Sequence, residues 1–219
     1  GYINRFTECW VPDHNGDENL AGELSHPSLL PKLPVKYIGP LSRFKYLPPP
    51  AGGDAGKKSH LLFILSGPEP QRSLIENKII DEVSHYNGTA TIVRGLPGHT
   101  TLLPSTNMIK FYNHLSANEF YDEMMKAEFI ISRSGYSTVM DAMTLQKKCI
   151  FIPTPGQTEQ EYLARYLLQK QMACCVSQDK FSLDLILQEA ENFRYHLPAI
   201  IPGNELQASI SRLLSSLHQ

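Results

Sequence analysis

The sequence predicts an α/β fold, a Rossmann-like doubly wound parallel sheet, and two features carry that expectation. Short, continuously apolar runs such as HLLFILSG (60–67), EFIISRSG (128–135) and CIFIPT (149–154) read as strands covered on both faces. Between them, apolar residues recur at helical spacing, as in Leu74, Ile75, Ile79, Ile80 and Val83. Their alternation places helices on both faces of a parallel sheet, and right-handed crossovers make it doubly wound.

Residues 1–34 are rich in Pro, Asp, Asn and Gly and read as an extended lead-in or linker. VKYIG (35–39) is a short strand, and the breaker PPPAGGDAGKK (48–58) follows it. The regular alternation then begins with HLLFILSG and its helix. TATIVRG (89–95) and MIKFYNHL (108–115) are the next strands, and ANEFYDEMMKA (117–127) is helical. EFIISRSG runs directly into the helix YSTVMDAMTLQ (136–146), and CIFIPT leads into QTEQEYLARYLLQKQM (157–172). ACCVS (173–177) is a last short strand before two closing helical stretches. The division is therefore a lead-in over 1–34 and a ligand-binding domain over 35–219. In such domains ligands sit beyond the carboxyl ends of the strands. The loops to inspect are 66–72, 114–118, 132–137 and 153–160.

Composition narrows the function classes. The 219 residues are 42% hydrophobic and 19% charged, with a net charge of −2. That is ordinary globular composition, without the basic excess that nucleic-acid binding through phosphates requires. The short pairs Lys57-Lys58 and Lys147-Lys148 read as solvated loop charge. No apolar run approaches the ~18 residues of a membrane-spanning helix. Cys9, Cys149, Cys174 and Cys175 form no C-x-x-C pair and read as reduced thiols, and the eight histidines form no metal motif. No protein-bound metal or cofactor is expected. His99, in GLPGHTT, reads as a polar loop residue.

The sharpest feature is ISRSGYSTVMDAM. Ser134, Ser137, Thr138 and Asp141 are spaced i, i+3, i+4, i+7 and share one helix face. That face begins at a helix N-terminus, whose unpaired N–H groups and positive dipole end suit a phosphate. Gly135 allows close approach to the backbone. Asp141 stands two turns on, about 10 Å along the axis, a plausible span from a diphosphate to a ribose. The spacing alone is equally met by Ser134 as a simple N-cap and Asp141 as a solvated residue.

The stretch ISRSGYSTVMDAMTLQKKCIFIPTPGQTEQEYLARYL resembles the donor-site segment of family 28 glycosyltransferases, with strong similarity over 132–167 and weaker similarity from Tyr37 to Cys175. The resemblance implies the C-terminal half of a GT-B fold that binds a nucleotide-diphosphate sugar, a UDP-sugar. It implies Asp141 in the place of the ribose-binding acid, usually Glu, with Ser134, Gly135, Ser137 and Thr138 at the diphosphate. Gln160 and Glu161, with Glu159 beside them, correspond to residues that hold the donor sugar. Thr158 and Glu161 also fit a T-x-x-E capping box, however. SGPEPQRSL occupies the place of a Gly-rich phosphate loop but has one glycine and two prolines. Ser66, Gly67 and Arg72 could meet the diphosphate there, or Arg72 could face solvent from a Pro-initiated helix. Leu115 and Ser116 correspond to a loop whose backbone reads the base. Arg43, in GPLSRF, ends an interdomain segment near the nucleotide.

The function so implied is metal-independent, inverting transfer of a hexosyl or N-acetylhexosaminyl group to an acceptor hydroxyl. The acceptor would be lipid-linked or a saccharide. The catalytic base and the acceptor site are expected in a missing N-terminal domain, whose tail survives near Ile3–Asp13, so this chain alone is expected to be inactive. The longer protein would be cytoplasmic, peripheral at the inner membrane face. Two rivals remain: a UDP-sugar hydrolase or epimerase of the same architecture, and a non-catalytic donor-binding subunit.

Overall fold

A computed structural model describes residues 5–44, 59–199 and 204–217. The breaker loop, including Lys57-Lys58, and the start of the lead-in lie outside these residues. A two-stranded parallel sheet joins β1 (Cys9–Val11) to β2 (Val35–Tyr37). The main sheet contains β3 (His60–Ile64), β4 (Thr89–Val93), β5 (Ile109–Tyr112), β6 (Phe129–Ser132), β7 (Lys148–Phe151) and β8 (Cys174–Cys175). All its pairings are parallel, in the order β5-β4-β3-β6-β7-β8. The chain thus builds outward from β3, returns to the centre and builds the other way from β6. This is the doubly wound order, with its switch point between β3 and β6.

Strand alternation sorts the core into two layers. Leu61, Phe63, Ile92, Phe129, Ile131 and Ile150 face α1 (Gln71–Val83) and α5 (Leu183–Asn192). Leu62, Ile64, Ile130, Cys149 and Phe151 face α2 (Ala117–Lys126) and α3 (Tyr136–Thr144), with Leu167 of α4 (Thr158–Gln169) in the same layer. The final helix is α6 (Glu205–Leu217). All four cysteines are free thiols, and Cys149 and Cys174 are buried as the apolar runs suggest. Among the described residues no helix is long and apolar enough to cross a membrane.

The lead-in is more ordered than its composition suggests. A boundary after residue 34 falls between two hydrogen-bonded strands, because β1 pairs with β2 across it. Asp13 is fully buried and accepts from the N–H groups of His14, Leu20 and Ala21 and from the Ser25 hydroxyl, at 2.7–3.1 Å. These bonds close residues 13–25 into a loop that leans on α4. Tyr162 Oη accepts from Glu23 N at 2.7 Å, and Tyr166 Oη donates to the Asn19 side chain at 2.9 Å. Gly22 reaches this packing at φ +53, a backbone angle that favours glycine.

Candidate functional site

The crevice at the switch point is bordered by the loops after β3, β6 and β7. Ser66 and Gly67 are exposed after β3, and Gly67 has φ +107. A side chain there would point towards Thr154 Oγ1, 3.9 Å from the position of its Cβ. Two further contacts lace the loops together. Ser134 Oγ donates to the Gln160 carbonyl at 2.8 Å, and Gln160 Oε1 accepts from Thr154 N at 2.9 Å. The Gln160 amide also donates to Gln157 Oε1 at 2.5 Å, and Glu161 accepts from Gly156 N at 2.9 Å. Glu159 is exposed at the head of α4.

Helix α3 starts one turn-position later than the spacing argument requires. Its N-cap is Gly135, without a side-chain cap, so its first N–H groups are left to whatever enters the crevice. Ser134 is wholly buried before the helix and anchors the next loop rather than capping α3. Ser137 is exposed and Thr138 is half-buried on the first turn. Asp141 is not a solvated surface group, being only 3% exposed. Its Oδ1 accepts from Ser42 Oγ at 2.8 Å and Arg43 N at 3.2 Å, and its Oδ2 from Arg43 Nε at 2.8 Å. The Arg43 side chain is 53% exposed and lies over the Phe120 and Phe44 rings, 4.7 and 5.2 Å from their centroids. Leu115 is buried in the same cluster as Phe44. The expected stripe from Ser134 to Asp141 is therefore an open helix start with both ends tied down.

Two expectations are corrected, and a third meets a competing contact. Arg72 does not face solvent. It is 6% exposed, and its guanidinium donates to Glu69 at 2.6 Å and Glu76 at 3.1 Å, while Arg94 binds Glu76 at 2.6 Å. Two carboxylates within reach balance its charge. The T-x-x-E box at Thr158 does not form, because α4 is capped at Gln157 and Glu161 turns back to Gly156. The capping box that does form is Ser116–Glu119 on α2. It engages both the N–H and the hydroxyl of Ser116 on Glu119, at 2.9 and 2.6 Å, so the N–H expected to read a base already has an acceptor.

Two residues of the crevice escaped the sequence reading. Arg133 and Thr154 are both buried, and each has a side-chain atom without a partner, Arg133 Nε and Thr154 Oγ1. The available signal was an arginine ending an apolar strand, and a polar residue ending CIFIPT. The lead-in also meets the site, since Tyr136 Oη donates to the Pro12 carbonyl at 2.6 Å.

The open start of α3 at the switch point of an all-parallel sheet places this chain among doubly wound α/β domains. Comparison with known proteins is consistent with that class. Residues 99–197 match the glycosyltransferase family 28 C-terminal domain. The UDP-N-acetylglucosamine--N-acetylmuramyl-(pentapeptide) pyrophosphoryl-undecaprenol N-acetylglucosamine transferase of Haemophilus ducreyi is 30% identical over 155 residues, 68% of this chain and 42% of that enzyme. The enzyme of the same name from Buchnera aphidicola is 29% identical, over 65% of this chain and 42% of its own length. The chain thus spans less than half of these relatives. Among solved structures, the spinosyn rhamnosyltransferase SpnG superimposes with TM-score 0.51 at 17% identity, over 94% of this chain and 65% of that one. The kitacinnamycin glycosyltransferase gives 0.52 at 13% identity, over 73% and 41%. Residues 99–197 thus carry the match to the glycosyltransferase family 28 C-terminal domain, and the fold is that of the C-terminal half of GT-B glycosyltransferases.

Proposed function

We propose that this chain is the donor half of an inverting, metal-independent glycosyltransferase that uses a UDP-sugar. The observation that carries this reading is the uncapped N-terminus of α3 at Gly135, opening beside Gly67 at the switch point. A diphosphate placed there takes hydrogen bonds from first-turn N–H groups and gains from the helix dipole. The same groups stabilise the charge that develops on the leaving diphosphate as the glycosidic bond breaks. Gln160 and Glu161 face the donor sugar in this reading, with Gln160 held by Thr154 N and Glu161 by Gly156 N.

Asp141 receives the ribose. Its movable partner is the half-exposed Arg43 guanidinium on Oδ2, while the Ser42 hydroxyl and Arg43 N both stay on Oδ1. A ribose hydroxyl that takes Oδ2 frees Arg43 for the diphosphate. The transferred group is a hexosyl or N-acetylhexosaminyl unit. The acceptor is a lipid-linked or saccharide hydroxyl, reached at the inner face of the membrane during cell-envelope synthesis. Its base belongs to a preceding domain. Calorimetry with UDP, TDP, GDP and ADP tests the donor site. Selective binding of UDP supports the reading, and equal or absent binding of all four overturns it.

A further inference from the structure

Arg133 follows the last residue of β6 and is 3% exposed. Its guanidinium reaches three other segments of the crevice. It donates to the carbonyls of Ile152 and Pro153 after β7, at 3.1 and 3.3 Å. It also donates to the carbonyl of Gln71 at the head of α1, at 3.0 Å, and to Gln178 Oε1 after β8, at 2.6 Å. None of these acceptors is a carboxylate, and Nε has no partner at all. Burial lowers its pKa to about 10, which leaves the group charged at neutral pH.

No ion pair among the described residues compensates this charge. The charged cluster around α1 is balanced within itself, with Arg72 of α1 and Arg94 after β4 on Glu69 and Glu76. Apart from the four oxygens that Arg133 binds, two nearby helix N-termini add positive character. Arg133 is bound to the first residue of α1 and stands two residues before the N-cap of α3, and neither helix has a side-chain cap. A second, independent observation marks the same place. Thr154 Oγ1, one residue beyond the Pro153 carbonyl that Arg133 holds, is also buried without a partner. A buried, uncompensated cation is costly, and an anion settling in the crevice removes that cost.

We propose that Arg133 is a positioning residue for an anionic ligand group: its guanidinium ties the loops after β6, β7 and β8 and the head of α1 into one cradle, and its charge is matched only when a diphosphate occupies that cradle. The inference rests on the donor-site reading above. It adds that recognition of ligand charge comes from a residue that does not itself touch the ligand.

A ladder of ligand charge tests it. Calorimetry with uridine, UMP and UDP is run on the wild-type chain, Arg133→Gln and Arg133→Lys. For Arg133→Gln the expected loss is on the order of tenfold for UDP, smaller for UMP and negligible for uridine, as attraction by a buried unit charge requires. Arg133→Lys keeps the charge and restores the ladder. An equal loss for all three ligands overturns the proposal, because it marks a purely structural role, and so does no loss for any of them. A wild-type chain that binds none of the three overturns the donor-site reading itself. If Arg133→Gln fails to fold, the wild-type protein still decides. The Arg133 Nε–H resonance, assigned by its loss in Arg133→Lys, shifts with UDP and not with uridine, and a resonance unmoved by UDP overturns the proposal.

Discussion

Replacing Asp141 by Asn keeps the shape of the side chain and removes its charge. The amide oxygen can still accept from Ser42 Oγ and Arg43 N, which now meet Oδ1 at 2.8 and 3.2 Å. What is lost is the Arg43 Nε contact at 2.8 Å, where the new NH2 group faces a cation. A hydrogen bond between charged groups contributes about 1.5–3 kcal/mol when both are buried. Asp141 is buried but the Arg43 side chain is 53% exposed and can turn to water, so solvent screening cuts the value to about 1–2 kcal/mol. At roughly 2–4 °C per kcal/mol for a chain of this size, melting should fall by about 2–8 °C. Asp141→Ala should cost more, about 2–4 kcal/mol, because Arg43 N and the Ser42 hydroxyl then lose their acceptor too. On the ligand side, Asp141→Asn should weaken UDP on the order of tenfold through the lost ribose acceptor and should not weaken pyrophosphate, which makes no ribose contact and meets a freed Arg43. Thermal denaturation and calorimetry read the two effects separately. An unchanged melting temperature would refute the structural account of the Arg43 contact. UDP affinity held within roughly twofold would refute the ribose assignment.

Two further predictions concern stability. Gly22→Ala should cost about 2–4 kcal/mol in urea unfolding, since its Cβ would stand 2.3 Å from Tyr162 Oη and 2.8 Å from the Tyr166 ring, at φ +53. Loss of less than about 1 kcal/mol would show that the lead-in loop is not held against α4 as described. Glu123 is held at a pKa of about 2, below its ordinary 4.5, first by its hydrogen bond with His60 and then by Lys126 and Thr91. Its folded pKa is depressed, so its stabilisation is present above about pH 4.5 and is lost as pH falls from 4.5 towards 2. The amount expected is about 1–2 kcal/mol after allowance for solvent access. Melting curves for wild type and Glu123→Gln across that window should converge as pH drops, and parallel curves would contradict the assignment.

Local pattern was sufficient for the layers of this fold. Continuous apolar runs can only be strands covered on both faces, and helical spacing between them supplies the cover, so β3 to β8 and their helices were legible without any long-range contact. The sequence could not reveal which polar side chains are already engaged. Ser116 and Thr158 each start an S/T-x-x-E pattern, yet only Ser116 caps its helix, because Gln157 sits at the N-cap of α4 and Glu161 bonds back to Gly156. Arg72 and Arg133 look equally available as phosphate ligands in one dimension. Glu69 and Glu76 stand three and four residues from Arg72 along the chain, so that pairing is local, whereas distant segments bring only carbonyls and an amide to Arg133 and leave its charge uncompensated. Asp141 likewise shows only helical phase in the sequence. Its pairing with Arg43 joins residues 98 positions apart. Secondary structure depends on neighbours along the chain and is written there, whereas the electrostatic state of a buried group depends on which distant segments fold over it.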